Sequence, residues 1–128
     1  MKSKLLIIED NLMMREFLNH LLSKEYEVYT ASSAEEALEW LQNNSEIDLI
    51  ISDFNLDDMT GLDFLKHIKS SGFFQHIPVI ILSGKNKSED RITCLKEGAA
   101  DYIIKPFNPT ELLLRIQNVS IKAMENAN

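Results

Sequence analysis

A three-layer α/β sandwich around a five-stranded parallel sheet is predicted by two features of this chain. Short apolar runs alternate with longer segments whose apolar residues recur at helical spacing, and four of the runs stop at a reactive polar residue. Leu5-Leu6-Ile7-Ile8 leads to Glu9 and Asp10, Leu49-Ile50-Ile51-Ser52 to Asp53, Val79-Ile80-Ile81-Leu82 to Ser83, and Tyr102-Ile103-Ile104 to Lys105 and Pro106. None of these runs alternates apolar with polar, so both faces of each strand are expected under helices, as parallel sheets require, with right-handed crossovers. Ligands of such sheets bind beyond the carboxyl ends of the strands where strand order reverses. The polar residues at the four run ends therefore mark the expected site.

The elements follow in order. After Asp10, residues Leu12, Phe17, Leu18, Leu21 and Leu22 supply one helical face, and Asp10 itself suits a cap at the positive end of that helix. Glu27 to Ala31 reads as a second strand, polar enough for a sheet edge. Ser33 and Glu36 form a capping-box pattern, hydroxyl and carboxylate each taking a free N–H, ahead of Ala37, Leu38, Trp40 and Leu41. Leu62, Phe64, Leu65 and Ile68 mark a third helix after Gly61, and Ser88 to Glu97 a fourth, closed by Gly98 in a left-handed conformation. Asn108 and Pro109 open the fifth, because proline at a first helical position loses no intrahelical bond and Glu111 favours the positive end of the dipole. Met13, Met14, the phenylalanines at helical spacing and Cys94 are assigned to packing.

A chain of 128 residues suits one domain over 1–128. Cys94 is the only cysteine, which excludes an internal disulfide and fits a reducing compartment. The apolar runs are far shorter than a membrane span, and Met1-Lys2-Ser3-Lys4 leads straight into a strand pattern, so a cytoplasmic location is expected with no membrane contact. A net charge of −7 argues against direct nucleic-acid binding, which needs clustered Lys and Arg.

The chemistry depends on the run ends acting together. Glu9 and Asp10 alone read as a helix start, Asp53 alone as a turn, Ser83 as turn chemistry and Lys105 as solvated surface. Brought together, three carboxylates about 4 Å apart repel by about 4 kcal/mol per pair at an effective dielectric of 20. A divalent cation relieves that repulsion, and Mg²⁺, with Mn²⁺ as a substitute, matches an all-oxygen donor set bridging to phosphate. His20, His67 and His76 are scattered and show no zinc spacing. A carboxylate beside a cation is a nucleophile toward a phosphoryl group, whose remaining oxygens need a hydroxyl and a cationic side chain. Asp53, Ser83 and Lys105 fit those three tasks.

With those residues in view the whole chain resembles a response-regulator receiver domain of two-component signalling, close in style to the small chemotaxis receivers. The resemblance rests on Ile8-Glu9-Asp10 with Met14-Arg15, on Asp53-Phe54-Asn55-Leu56 running to Met59-Thr60-Gly61, on Leu82-Ser83-Gly84, and on Asp101-Tyr102-Ile103-Ile104-Lys105-Pro106-Phe107. It implies a flavodoxin-like sheet in the order 2-1-3-4-5 and a phosphoryl group passed to Asp53 from a histidine kinase or phosphotransfer protein. It implies Mg²⁺ held by Asp10, Asp53, the Asn55 backbone carbonyl and, through water, Glu9, with Ser83 and Lys105 on the phosphoryl oxygens. It further implies a cis peptide before Pro106 and a switch in which Ser83 moves toward the phosphoryl group while Tyr102 turns inward. The output surface is then the fourth helix, fifth strand and fifth helix, read by a separate protein or a linked output domain, with the receiver a monomer or a phosphorylation-dependent dimer.

The chain departs from the usual receiver pattern at Asp57, where proline is common, and at Gly84, where alanine is frequent and glycine is expected to free the loop. Asn55 and Lys85 occupy the positions expected to tune autodephosphorylation. A haloacid-dehalogenase-type phosphatase uses similar groups, but its nucleophile follows the first strand, whereas here the acidic pair comes first and Asp53 third. A flavodoxin-type flavin site needs a Ser/Thr/Gly-rich phosphate loop where this chain has Glu9-Asp10-Asn11-Leu12. An interaction module without phosphorylation would not need the full set Asp10, Asp53, Ser83 and Lys105. The expected protein is thus a self-modifying switch and not a conventional enzyme.

Overall fold

The computed structural model of the protein describes residues 2–44, 46–84 and 88–126. Strands and helices alternate throughout: β1 (Lys4–Ile8), α1 (Leu12–Leu22), β2 (Glu27–Ala31), α2 (Ala34–Asn43), β3 (Leu49–Asp53), α3 (Gly61–Ser70), β4 (Val79–Ser83), α4 (Ser88–Lys96), β5 (Asp101–Ile104) and α5 (Pro109–Asn126). The strands pair in parallel in the order β2-β1-β3-β4-β5, as expected. Every residue of β3 and β4 is buried, which is why those segments read as uninterrupted apolar runs. The polar β2 forms an edge.

Side chains alternate across the sheet and divide the interior into two cores. Leu6, Ile8, Ile50, Val79 and Ile81 face α2, α3 and α4, packing on Ala37, Leu41, Phe64, Ile68 and Cys94. Leu5, Ile7, Leu49, Ile51, Ile80 and Leu82 face α1 and α5, packing on Leu18, Leu22, Leu112 and Ile116. Each such aliphatic side chain contributes roughly 1.5–3 kcal/mol through its burial. Cys94 is fully buried, matching its assignment to packing. Met13, Phe17 and Phe73 are not core residues: Met13 is 82% exposed and Phe73 84% exposed. The inward face of α1 is carried by Leu18 and Leu22 with Met14 and Leu21 beside them, which leaves Met13 in solvent and Phe17 half-exposed against the Phe107 ring.

The helix starts differ in detail from the expected pattern. Asn11, not Asp10, caps α1, its side-chain oxygen accepting from the Met14 N–H at 2.9 Å. Asp10 is thereby left for other contacts. Ser33 accepts from the Glu36 N–H at 3.1 Å as expected, but the Glu36 carboxylate takes the Ser32 N–H and hydroxyl instead of completing the box on Ser33. The next two free N–H groups of α2, on Ala34 and Glu35, donate to Asp58 at 3.2 and 2.8 Å. Asp58 lies in the β3–α3 loop, so one carboxylate ties that loop to the start of α2. Burial is the largest single influence and opposes the charge, but several backbone N–H bonds together outweigh it and hold the Asp58 carboxyl below its ordinary pKa.

Gly61 opens α3 directly beneath the end of β3, where a Cβ would lie 2.6 Å from the Asp53 carbonyl oxygen and 2.9 Å from the Phe54 Cα. Both are backbone atoms that cannot swing aside. Gly98 takes φ 104° after α4, as its capping assignment requires. Gly84 has open space around its missing side chain and no positive φ, so its surroundings do not demand glycine.

Two stability outcomes follow. Gly61→Ala should lower the unfolding free energy by about 1–3 kcal/mol, the usual cost of overpacking, read from urea titration. Asp58→Ala should cost about 1 kcal/mol, as lost caps do. Because the folded pKa of Asp58 is depressed, its contribution is present above the unfolded value of about 3.9 and lost as pH falls through the folded value. The gap between wild type and Asp58→Ala should persist at neutral pH and close below about pH 4.

Candidate functional site

Register places the site. Ile8 pairs with Ser52, so Glu9 and Asp53 leave the sheet side by side where β1 meets β3, the point at which strand order reverses. Asp53 pairs with Leu82 and Ser83 with Ile104, so Ser83 and Lys105 follow at the same rim. The Lys105 N–H donates to the Ser83 carbonyl at 2.7 Å, and the bond between Lys105 and Pro106 is cis, as expected.

One oxygen each from Glu9, Asp10 and Asp53 lies within 4.8 Å of the others. Glu9 is 2% exposed and Asp53 8% exposed. The Lys105 ammonium bridges two of the three, donating to Glu9 Oε1 at 2.8 Å and Asp53 Oδ1 at 2.9 Å. Burial opposes the charge on Lys105, but the two carboxylates outweigh it and raise its pKa. For Glu9 burial is the dominant influence, with Asp53 adding to it, and the bonds from Lys105 and the Asn11 N–H offset only part, so its pKa is raised.

The acidic side chains are individually oriented. Glu9 Oε2 accepts from the Asn11 N–H at 3.2 Å, its carbonyl accepts from Arg15 at 2.9 Å, and its N–H donates to the Ala31 carbonyl at 3.0 Å. The exposed Asp57 carboxyl lies within hydrogen-bond reach of Asp10, whose charge is the main reason that the pKa of Asp57 is raised. Sequence reasoning noted Asp57 only as an acidic departure and did not foresee this contact or the Asn11 and Arg15 bonds. A backbone N–H has no side-chain signature, and a loop has no periodicity from which to read a contact.

Ser83 is fully buried. Tyr102 is also buried, at 5% exposed, with its hydroxyl within hydrogen-bond reach of Ser83; burial raises its pKa and the Ser83 bond offsets part of that rise. Asn55 is exposed and forms a bridge with Thr60 that closes the β3–α3 loop. Lys85 falls outside the described residues. His20, His67 and His76 are exposed and belong to no cluster with the acidic residues.

The donor set fits a hard divalent cation. It consists of carboxylate oxygens converging from two adjacent strands, two of the three side chains are buried, and no sulfur or imidazole is among them. Among the described residues no helix is long and apolar enough to cross a membrane.

Comparison with known proteins agrees with this arrangement. Residues 5–117 match the model of the response regulator receiver domain. Chemotaxis protein CheY1 of Helicobacter pylori is 36% identical over 118 residues, covering 91% of this chain and 95% of the relative. The phosphate regulon transcriptional regulatory protein PhoB of Escherichia coli is 36% identical over 93% of this chain and 52% of its own length. The structure of chemotaxis response regulator CheY4 of Vibrio cholerae superposes with a TM-score of 0.86 at 33% identity, covering 93% of this chain and 99% of that one. The rim chemistry, the strand order and these likenesses agree, and the chain belongs to the response regulator receiver domain family of two-component signalling.

Proposed function

We propose that the protein is a phosphorylation-activated switch in which Asp53 accepts a phosphoryl group from the phosphohistidine of a histidine kinase or phosphotransfer protein. The observation that carries this reading is the Lys105 ammonium 2.9 Å from Asp53, in a rim where Glu9 and Asp10 present oxygens within 4.8 Å. An Asp53 carboxylate oxygen attacks phosphorus, the P–N bond breaks, an acyl phosphate forms, and the electron pair returns to the histidine nitrogen. Phosphoryl transfer is mainly positioning and charge neutralisation, and an ammonium and clustered carboxylates beside Asp53 support this reading.

Asp10, Asp53 and the Asn55 carbonyl would hold Mg²⁺, or Mn²⁺ in its stead, with Glu9 acting through water. The cation supplies neutralisation of the phosphoryl oxygens. Lys105 releases Glu9 and takes a phosphoryl oxygen, and the Ser83 hydroxyl takes another. In the proposed switch Ser83 turns toward the phosphoryl group and Tyr102 turns inward with it; the buried Tyr102, its hydroxyl within reach of Ser83, supports that coupling. The signal leaves by the face of α4, β5 and α5, where Ile92, Leu95 and Leu114 are exposed. The unit is a single receiver over 1–128, acting in the cytoplasm as a monomer or phosphorylation-dependent dimer. It modifies only itself, and its target is a separate protein or a linked output domain.

Incubation with a small acyl phosphate, with and without Mg²⁺, tests the central step. Intact mass should show a gain of one phosphate that requires Mg²⁺ and vanishes in Asp53→Asn; a gain that survives Asp53→Asn would sink the proposal. Once the protein is phosphorylated, Asn55→Ala and Lys85→Ala should alter the decay rate of the phosphoprotein by about two- to tenfold, as modest changes in water positioning do. Unchanged decay in both variants removes the tuning role of those side chains.

A further inference from the structure

We infer that Asp58 is a positioning residue for the phosphoacceptor rim: by fastening the β3–α3 loop to the start of α2, it fixes where the Asn55 backbone carbonyl stands. This inference rests on the proposed Mg²⁺-dependent function, in which that carbonyl is a ligand.

A side-chain ligand reaches its place through its own torsions, whereas a carbonyl lies in the rigid peptide plane and goes where the chain goes. The conformation of the loop from Phe54 to Thr60 therefore decides whether Asn55 can serve. The neck of that loop is closed on Asp53: Asn55 bridges to Thr60, the Gly61 N–H donates to the Phe54 carbonyl at 2.6 Å, and Gly61 lies against the Asp53 carbonyl. Phe54 and Leu56 are buried in the core that faces α2, α3 and α4. Past Leu56 the burial ends, and Asp57 and Asp58 are exposed.

Asp58 holds that outer turn. Its Oδ1 accepts from the Ala34 N–H at 3.2 Å and its Oδ2 from the Glu35 N–H at 2.8 Å, so each oxygen is engaged by a different donor and the carboxylate is fixed in orientation as well as in place. The donors are firmly seated. Ala34 is fully buried and opens α2, whose Ala37 and Leu41 pack in the same core. The helix already has a cap of its own in Ser33, which accepts from the Glu36 N–H at 3.1 Å. Ser33 ties α2 only to itself, whereas Asp58, 24 residues along the chain from Ala34, ties the loop to the helix. Without that tie the turn samples other conformations, a smaller fraction of molecules presents the Asn55 carbonyl, and apparent affinity for the cation falls with that fraction.

Calorimetric titration of the full chain with MgCl₂ near neutral pH tests this on wild type, Asp58→Ala, Asp58→Asn, Ser33→Ala and Asp10→Asn, with urea titration of each. Asp58→Ala should bind Mg²⁺ about fivefold more weakly, the size of a lost cap expressed as a population. Asp58→Asn loses the charge but keeps an acceptor oxygen for an α2 N–H, and should stay within about twofold of wild type. Ser33→Ala should lose as much stability as Asp58→Ala and yet bind as wild type does. In phosphorylation by a small acyl phosphate, Asp58→Ala should need about fivefold more Mg²⁺ for its half-maximal rate and reach the wild-type rate at saturation. Wild-type affinity in Asp58→Ala overturns the inference. So does an equal loss in Asp58→Asn, which marks a charge effect, or in Ser33→Ala, which marks a general loosening of the fold. If wild type takes up no Mg²⁺, or Asp10→Asn binds as wild type does, the proposed centre fails and the inference with it. If Asp10→Asn loses binding while Asp58→Ala keeps it, only the role of Asp58 falls.

Discussion

The bridge from Lys105 to Glu9 and Asp53 is the interaction on which the rest of this structure depends. Parallel register forces two carboxylates side by side at the ends of β1 and β3, and both are almost entirely removed from solvent. Burying an unpaired carboxylate costs several kcal/mol even after the surroundings relax. The ammonium at 2.8 and 2.9 Å offsets part of that cost for both acids at once. The pocket thus carries a counter-charge of its own. In the proposed reaction the same ammonium turns from a structural counter-charge into a ligand of the transferred phosphoryl group.

That arrangement explains why so much of the fold and of the rim was legible in the chain. A strand covered on both faces must be apolar throughout, so the first polar residue after each run marks the sheet's edge, and a parallel sheet puts all such edges on one side. Glu9, Asp10, Asp53, Ser83 and Lys105 were readable for this reason, before any distance was known. The helix starts were less so. Asp10 and Asn11 are both competent caps, and the choice of Asn11 depends on its extended backbone and the reach of its side chain to Met14, which residue type alone does not reveal. Met13 carried an apolar signal without a core position, because α1 needs only Leu18 and Leu22 to meet the sheet.

The β3–α3 loop was the least legible part and has consequences beyond its own residues. Asp58 takes the Ala34 and Glu35 N–H groups at the start of α2, Thr60 caps α3 by accepting from the Asp63 N–H at 3.0 Å, and Gly61 allows α3 to start against the end of β3. This one loop thereby joins two helices and the rim. No periodicity encodes this, since the Asp58 bonds reach a segment remote in sequence and the Thr60 cap depends on a single side chain. The loop is ordered by packing and polar capping together: Phe54 and Leu56 are buried in the core that faces α2, α3 and α4, while Asp58 and Thr60 take free helical N–H groups.

The position of Tyr102 constrains how a switch can operate on this frame. A modification shifts an equilibrium only through a difference in its contacts with the two states. A ring already 5% exposed has little further surface to bury, so apolar burial of Tyr102 supplies almost none of that difference. What remains is polar. Ser83 is buried and its hydroxyl is within reach of the Tyr102 hydroxyl, so any turn of Ser83 toward a phosphoryl oxygen alters that contact. The difference in contacts that the proposed switch requires is therefore a matter of hydrogen bonding more than of the size of the aromatic ring.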